Sequence, residues 1–176
     1  MRSSLDAEGI AYDHDMEVGA MIEVPSAAIN AASIAKHVDF LSIGTNDLVQ
    51  YTMAADRGND SVSHLYQPTN PAVLKLMRHV VSVAKERDMK VSVCGESASD
   101  PIVGVLWAAM GVDELSMSAT YIPVMSKLFS KLTRSDLDDY LKTVESAVDD
   151  ATAGEILAVC REWMERKIPD IANIVI

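Results

Sequence analysis

The chain has 176 residues, 49% of them hydrophobic, and a mean hydropathy of +0.11, which suits one folded domain of ordinary size and excludes a disordered chain. A formal net charge of -11 and a pI near 4.6 exclude a broad nucleic-acid or anionic-membrane surface, although a small anion remains acceptable where local arginines or a metal receive it. No basic segment leads into an apolar one, no apolar run approaches membrane-spanning length, and Cys94 and Cys160 fall in no metal-type spacing; together these predict a cytoplasmic protein with reduced thiols and no zinc site.

In chain order, Met1 to Glu8 reads as the tail of a helix stopped at Gly9, too short to stand alone, as though the chain starts inside an element of something larger. Gly19 to Val24 is a short apolar run ending at Pro25, and predicts a buried strand. Pro25 to His37 carries Ile29, Ala32 and Ile34 and predicts one crossover helix. A second strand is expected over Val38 to Gly44. Asn70 and Pro71 form a helix-start signal, followed by Val73, Leu76, Met77, Val80 and Ala84 on one face. Lys90 to Cys94 predicts a third strand, Asp100-Pro101 to Gly111 a helix, and Glu114 to Met117 a weaker fourth strand.

The last 45 or so residues differ in pattern. Thr133 with Asp136 and Thr152 with Glu155 have the spacing of capping boxes. Leu137, Tyr140, Leu141, Val144 and Val148 form one stripe and Ile156, Cys160, Trp163 and Met164 another, which predicts two helices packed together. The expected organisation is a single unit over 1–176, with strand-helix units over 1–132 and C-terminal helices over 133–176. Alternating strands and helices make a partial (β/α)8 barrel the leading α/β fold.

In such folds chemistry gathers where the strands end. The three strands end in Glu23-Val24-Pro25, in Gly44-Thr45-Asn46-Asp47, and in Cys94-Gly95-Glu96. Glu23 stands in an apolar run and needs a partner, either a salt bridge or hydrogen-bonded group, or a cation shared with Asp47. Gly44 to Asp47 has the composition of a plain turn. Arg57 is either a surface arginine or a phosphate clamp. Cys94 is either an inert core thiol or, beside a carbanion, a general acid tuned by Glu96. Cys160 reads as core, the histidines His14, His37, His64 and His79 as structural or surface residues, and the methionines as packing.

Taken in order, GAMIEVPSAA, VDFLSIGTNDLVQYTMAADRGN and VSVCGESASDP resemble the phosphoenolpyruvate-utilising enzyme family, with weaker similarity in PTNPAVLKLM and VDELSMSATYIP, over residues 17 to about 132. Glu96 after Cys94-Gly95 is more similar to the Enzyme I branch than to the synthase and dikinase branches. The resemblance implies Mg2+ held by Glu23 and Asp47, phosphoenolpyruvate contacted by Asn46, Asp47 and Arg57, and Cys94 as the general acid that protonates the methylene carbon as pyruvate forms. It also implies an acceptor histidine on an N-terminal domain, an HPr-like carrier protein as partner, and a homodimer. Neither the acceptor domain nor the first half of a barrel is present in the 176 residues, so either a fragment or a half barrel completed by another copy is expected.

Overall fold

The computed structural model describes residues 2–171. Within them the order is α1 (Arg2–Glu8), β1 (Gly19–Ile22), α2 (Pro25–Ile29), α3 (Ala31–Ile34), β2 (Phe40–Gly44) and α4 (Thr45–Met53). There follow α5 (Pro71–Glu86), β3 (Lys90–Cys94), α6 (Val103–Met110), β4 (Glu114–Leu115), α7 (Ile122–Phe129), α8 (Arg134–Glu145) and α9 (Ala153–Lys167). No helix among the described residues is long and apolar enough to cross a membrane.

The four strands form one sheet, all parallel, in the order β1-β2-β3-β4. Gly19 pairs with Phe40 and Phe40 with Lys90, so three strands run in step, while β4 joins only through Ser92–Glu114 and Val93–Leu115. Side chains on a strand alternate between faces, and the two faces here have opposite character. On one, Ile22, Leu41, Ile43, Val91 and Val93 are fully buried beneath the helices, chiefly α5 behind β2 and β3. On the other stand Met21, Ser42, Gly44, Ser92 and Cys94; Met21 is 48% exposed, and Ser92 Oγ donates to Ser42 Oγ across the strands at 3.0 Å. A parallel sheet is ordinarily covered on both faces, and the described residues cover this one on one.

Strand starts are pinned by carboxylates. Val18 N donates to Asp39 Oδ2 at 2.8 Å, and Asp113 receives both Val91 N at 2.9 Å and Lys85 Nζ at 2.5 Å. The strand ends are shorter than the sequence predicts at β1, because Val24 is already the extended cap of α2, whose first residue Pro25 has no N–H to lose. The single helix expected over Pro25 to His37 is instead two short ones separated at Asn30 (φ -94, ψ 15). Asn70 caps α5 by accepting from Ala72 N at 2.9 Å, and Gly111 ends α6 in the left-handed conformation at φ 101. Both expected capping boxes form, at Thr133 and Thr152. Tyr140 and Trp163 stack at 4.6 Å where α8 meets α9, and α8 also packs extensively on α6.

Candidate functional site

Glu23 follows β1 and points to the uncovered face. Its carboxylate folds over Gly44, the last residue of β2: a Cβ there would lie 2.8 Å from Glu23 Oε2, 2.9 Å from Glu23 Cβ and 3.2 Å from Met21 Sδ. Only a glycine leaves room for the glutamate in this position. Glu23 is partly buried, yet it makes no hydrogen bond or ion pair with any described residue. The salt bridge or hydrogen-bonded partner that its sequence context allows is not found among the described residues.

Cys94 ends β3 directly opposite Gly44 in register. Its Sγ lies 3.7 Å from Ile43 O and 3.9 Å from Met21 Sδ, and the same methionine sulfur, like the Glu23 carboxylate, lies close to the Gly44 Cα hydrogen positions. Cys94 is partly buried, and Cys160 is fully buried in α9 with its thiol pKa pushed up by burial. Both are free cysteines.

The run Gly44 to Asp47 is not a plain turn. Thr45 opens α4, which places Asn46 and Asp47 on its first turn, where unpaired backbone N–H groups favour negative charge. Asn46 Oδ1 accepts from Glu96 N at 3.1 Å and from the Tyr66 hydroxyl at 3.3 Å, which also reaches Asn46 O at 3.1 Å. With its oxygen engaged, the amide nitrogen of Asn46 is left as a free donor among the described residues. The Asp47 carboxylate likewise makes no hydrogen bond or ion pair with a described residue.

Arg57 lies on the loop after α4, reversed by Ala54 in the left-handed region at φ 50; its backbone N approaches Gln50 Oε1 at 3.5 Å. The guanidinium is exposed. Its charge reaches Tyr66, a residue for which the sequence shows no signal because the stretch around it has no helical or strand period. Burial raises the Tyr66 hydroxyl above its usual pKa; Arg57 works against that rise, while the charges of Glu96 and Asp47 add to it. Tyr66 is thus where the α4 end, the Arg57 loop and the β3 end meet. Glu96 makes no hydrogen bond to Cys94 among the described residues: its backbone N–H donates to Asn46, and the residue lines a neighbouring cleft. That cleft, about 380 Å³, is lined by Asn46, Tyr66, Gln67, Glu96, Asp100 and Arg161 among others; Asn46 lines it, whereas Glu23, Asp47, Arg57 and Cys94 do not.

Two carboxylates and an amide donor without partners among the described residues, together with a thiol, are therefore ranged along the ends of β1, β2 and β3, and the Arg57 guanidinium is on the loop after α4. No group of three or more His, Cys, Asp or Glu side chains comes together among the described residues. Two carboxylates are what Mg2+ commonly takes from a protein, with water and substrate oxygens filling its other positions. The partly buried, unpartnered Glu23 fits such a cation, because a carboxylate removed from water without a donor is costly. The four histidines are all exposed and lie outside this row.

A parallel strand-helix sheet with its polar side chains gathered at the strand ends is the arrangement of an α/β protein that binds a small ligand there. Residues 1–134 match the family model described as PEP-utilising enzyme, PEP-binding domain, and the chain belongs to that family. It is 45% identical over 163 residues to a phosphoenolpyruvate-protein phosphotransferase of Streptococcus equinus, covering 93% of this chain and 28% of that protein. Proteins of the same name from Bacillus subtilis (strain 168) and Haemophilus influenzae are 44% and 42% identical, over 92% and 93% of this chain. The chain spans a little over a quarter of the length of these relatives, 28% of each.

Proposed function

We propose that this chain carries the metal-binding and proton-donating side of a phosphoenolpyruvate site, as part of a protein that transfers phosphoryl from phosphoenolpyruvate to a protein histidine and releases pyruvate. The observation that carries the reading is the unpartnered Glu23 carboxylate seated on Gly44, beside the Cys94 thiol and in line with the first turn of α4. The names of its relatives support the substrate and the reaction class.

Glu23 and Asp47 would hold Mg2+, which when bound supplies charge stabilisation for the substrate's phosphoryl and enolate oxygens. The free amide of Asn46 and the first turn of α4 orient the substrate anion, with Arg57 on its phosphate; positioning and electrostatics are the main protein contributions to phosphoryl transfer. As the P–O bond breaks and the phosphoryl leaves for the acceptor histidine, the remaining enolate takes the Cys94 proton at its methylene carbon. The thiolate is reprotonated from solvent, and pyruvate departs. The acceptor histidine and the HPr-like carrier belong to other domains or proteins, and the working compartment is the cytoplasm. The four strands form the C-terminal part of a (β/α)8 barrel.

Calorimetry tests the site. Mg2+-dependent binding of phosphoenolpyruvate should weaken at least about tenfold in Glu23→Ala and in Asp47→Ala. Retention of full affinity by both variants would refute it.

A second reading, an assembly module that dimerises, draws on a separate observation: one face of the sheet and the outer edges of β1 and β4 have no partner among the described residues. The two readings are compatible.

A further inference from the structure

Behind the strand ends runs a buried chain of hydrogen bonds with a single direction. The Trp107 indole N–H on α6 donates to Ser97 Oγ at 3.0 Å, Ser97 Oγ donates to Thr45 Oγ1 at 2.8 Å, and Thr45 Oγ1 donates to the carbonyl of Cys94 at 2.8 Å. Trp107 and Thr45 are wholly buried and Ser97 is 5% exposed. The Cys94 carbonyl can only accept and so takes the single Thr45 hydroxyl proton, which leaves Thr45 to accept from Ser97; with the indole, which can only donate, at the other end, the sense of the whole line is fixed.

The line ends on the peptide that carries the thiol. Gly95, immediately beyond, takes φ 108 and ψ 177, and a Cβ there would lie 2.5 Å from Thr45 Oγ1 and 2.8 Å from Asn46 Oδ1. Two successive residues of α4 therefore grip the backbone at Cys94–Glu96: Thr45 holds the Cys94 carbonyl and Asn46 holds the Glu96 N–H. The line joins α6 to the strand end, and an apolar residue in place of Ser97 would leave the buried Trp107 N–H without its acceptor.

We propose that Trp107, Ser97 and Thr45 are positioning residues, which hold the Cys94–Gly95 peptide, and through it the Cys94 thiol, at a fixed place relative to Asn46 and Asp47. The importance of that placement for proton delivery rests on the function proposed above; the clamp itself does not.

Cys94 is the one partly exposed cysteine and Cys160 is fully buried, so alkylation of the native full chain by iodoacetamide reads Cys94, with Cys94→Ser as the blank. Ser97→Ala leaves Trp107 in place and removes the central link. It should raise the Cys94 alkylation rate about three- to tenfold, as expected for losing one buried hydrogen bond that restrains an opening. Trp107→Phe should do the same, and Thr45→Val as well, whereas Thr45→Ser, which keeps the hydroxyl, should stay near the parent rate.

Tyr140→Phe serves as the control for general loosening, because it removes the buried Tyr140 hydroxyl to Ile102 O contact at 3.2 Å without touching the line. Its alkylation rate should not rise. An unchanged rate in Ser97→Ala, or an equal rise in Tyr140→Phe, overturns the proposal and leaves the line as ordinary core structure. Phosphoenolpyruvate titration of the parent chain with Mg2+ reports on the function separately: absent binding together with a raised rate in Ser97→Ala would refute the phosphoenolpyruvate reading and keep the clamp.

Discussion

At Gly44 one missing methyl group decides where a carboxylate can sit. An alanine Cβ at 2.8 Å from Glu23 Oε2 and 2.9 Å from Glu23 Cβ is closer than non-bonded atoms tolerate; the carboxylate tip can swing away, but Glu23 Cβ moves only with the backbone that follows β1. The backbone at Gly44, φ -83 and ψ 87, has the negative φ that alanine accepts, so the substitution displaces Glu23 rather than straining Gly44 itself. Gly44→Ala is therefore expected to fold with a lowered melting temperature, because the end of β1 must shift, while Mg2+ affinity falls at least about tenfold. A folded Gly44→Ala that binds Mg2+ as tightly as the parent would remove Glu23 from the list of ligands. Glu23 stands out in the sequence as an acidic residue in an apolar run that needs a partner, without saying which. Tyr66 does not: its role comes from the path of the segment between α4 and α5, which has no period to read.

Individual elements were legible where a local rule and the tertiary context agree. The strands at Lys90–Cys94 and around Phe40–Gly44, the helix started by Asn70-Pro71 and the capping boxes at Thr133 and Thr152 all follow from residues next to one another. Two elements were not. Thr45–Met53 begins with residues that favour turns, and becomes a helix because Thr45 and Asn46 are anchored on the end of β3, a contact some 50 residues away along the chain. Ile122–Phe129 holds a proline at its start and exposed Tyr121 and Ile122, with only Met125 and Leu128 buried, so its apolar period is too brief to declare a helix.

The capping boxes also carry a pH signature. Asp136 is held well below its ordinary value of 3.8, to about 2, first by the Lys167 ammonium and then by the Thr133 hydroxyl and N–H. A carboxyl depressed in the folded state stabilises the fold at pH above its unfolded value and loses that contribution as pH falls through about 2. In denaturant titrations the stability gap between the parent and Asp136→Asn should be constant near neutral pH and should narrow below about pH 4. Thr152→Ala, which removes the side-chain cap of α9, should cost about 1 kcal/mol.

For the molecule as a whole the unbalanced feature is the sheet. Its helices cover one face, and the other shows small and polar side chains with Met21 half exposed, bounded by two bare edges. Val24, just after β1, is exposed and adds apolar surface at that edge; Ile29 on α2 and Ile122 on α7 are further exposed apolar side chains. If the surface assembles with another copy, the charge of -11 per chain opposes the approach, and salt relieves it. Sedimentation should then show association that rises with protein concentration and strengthens from low ionic strength to about 0.15 M salt. A monomer at all concentrations that binds no hydrophobic dye would sink the assembly reading.

Every strand of the sheet pairs only with the strand before or after it in the chain, which makes growth of the sheet processive. β2 can be laid on β1 as soon as both exist, but β3 must wait for the long segment holding α4 and α5 to compact, so closing that loop is the largest entropic step. β4 arrives last and is held by two ladder positions together with Ser116 N to Val93 O. Its amides should exchange with solvent sooner than those of Leu41 or Ile43, and peeling would start there, at the end of the sheet farthest from Glu23 and Gly44.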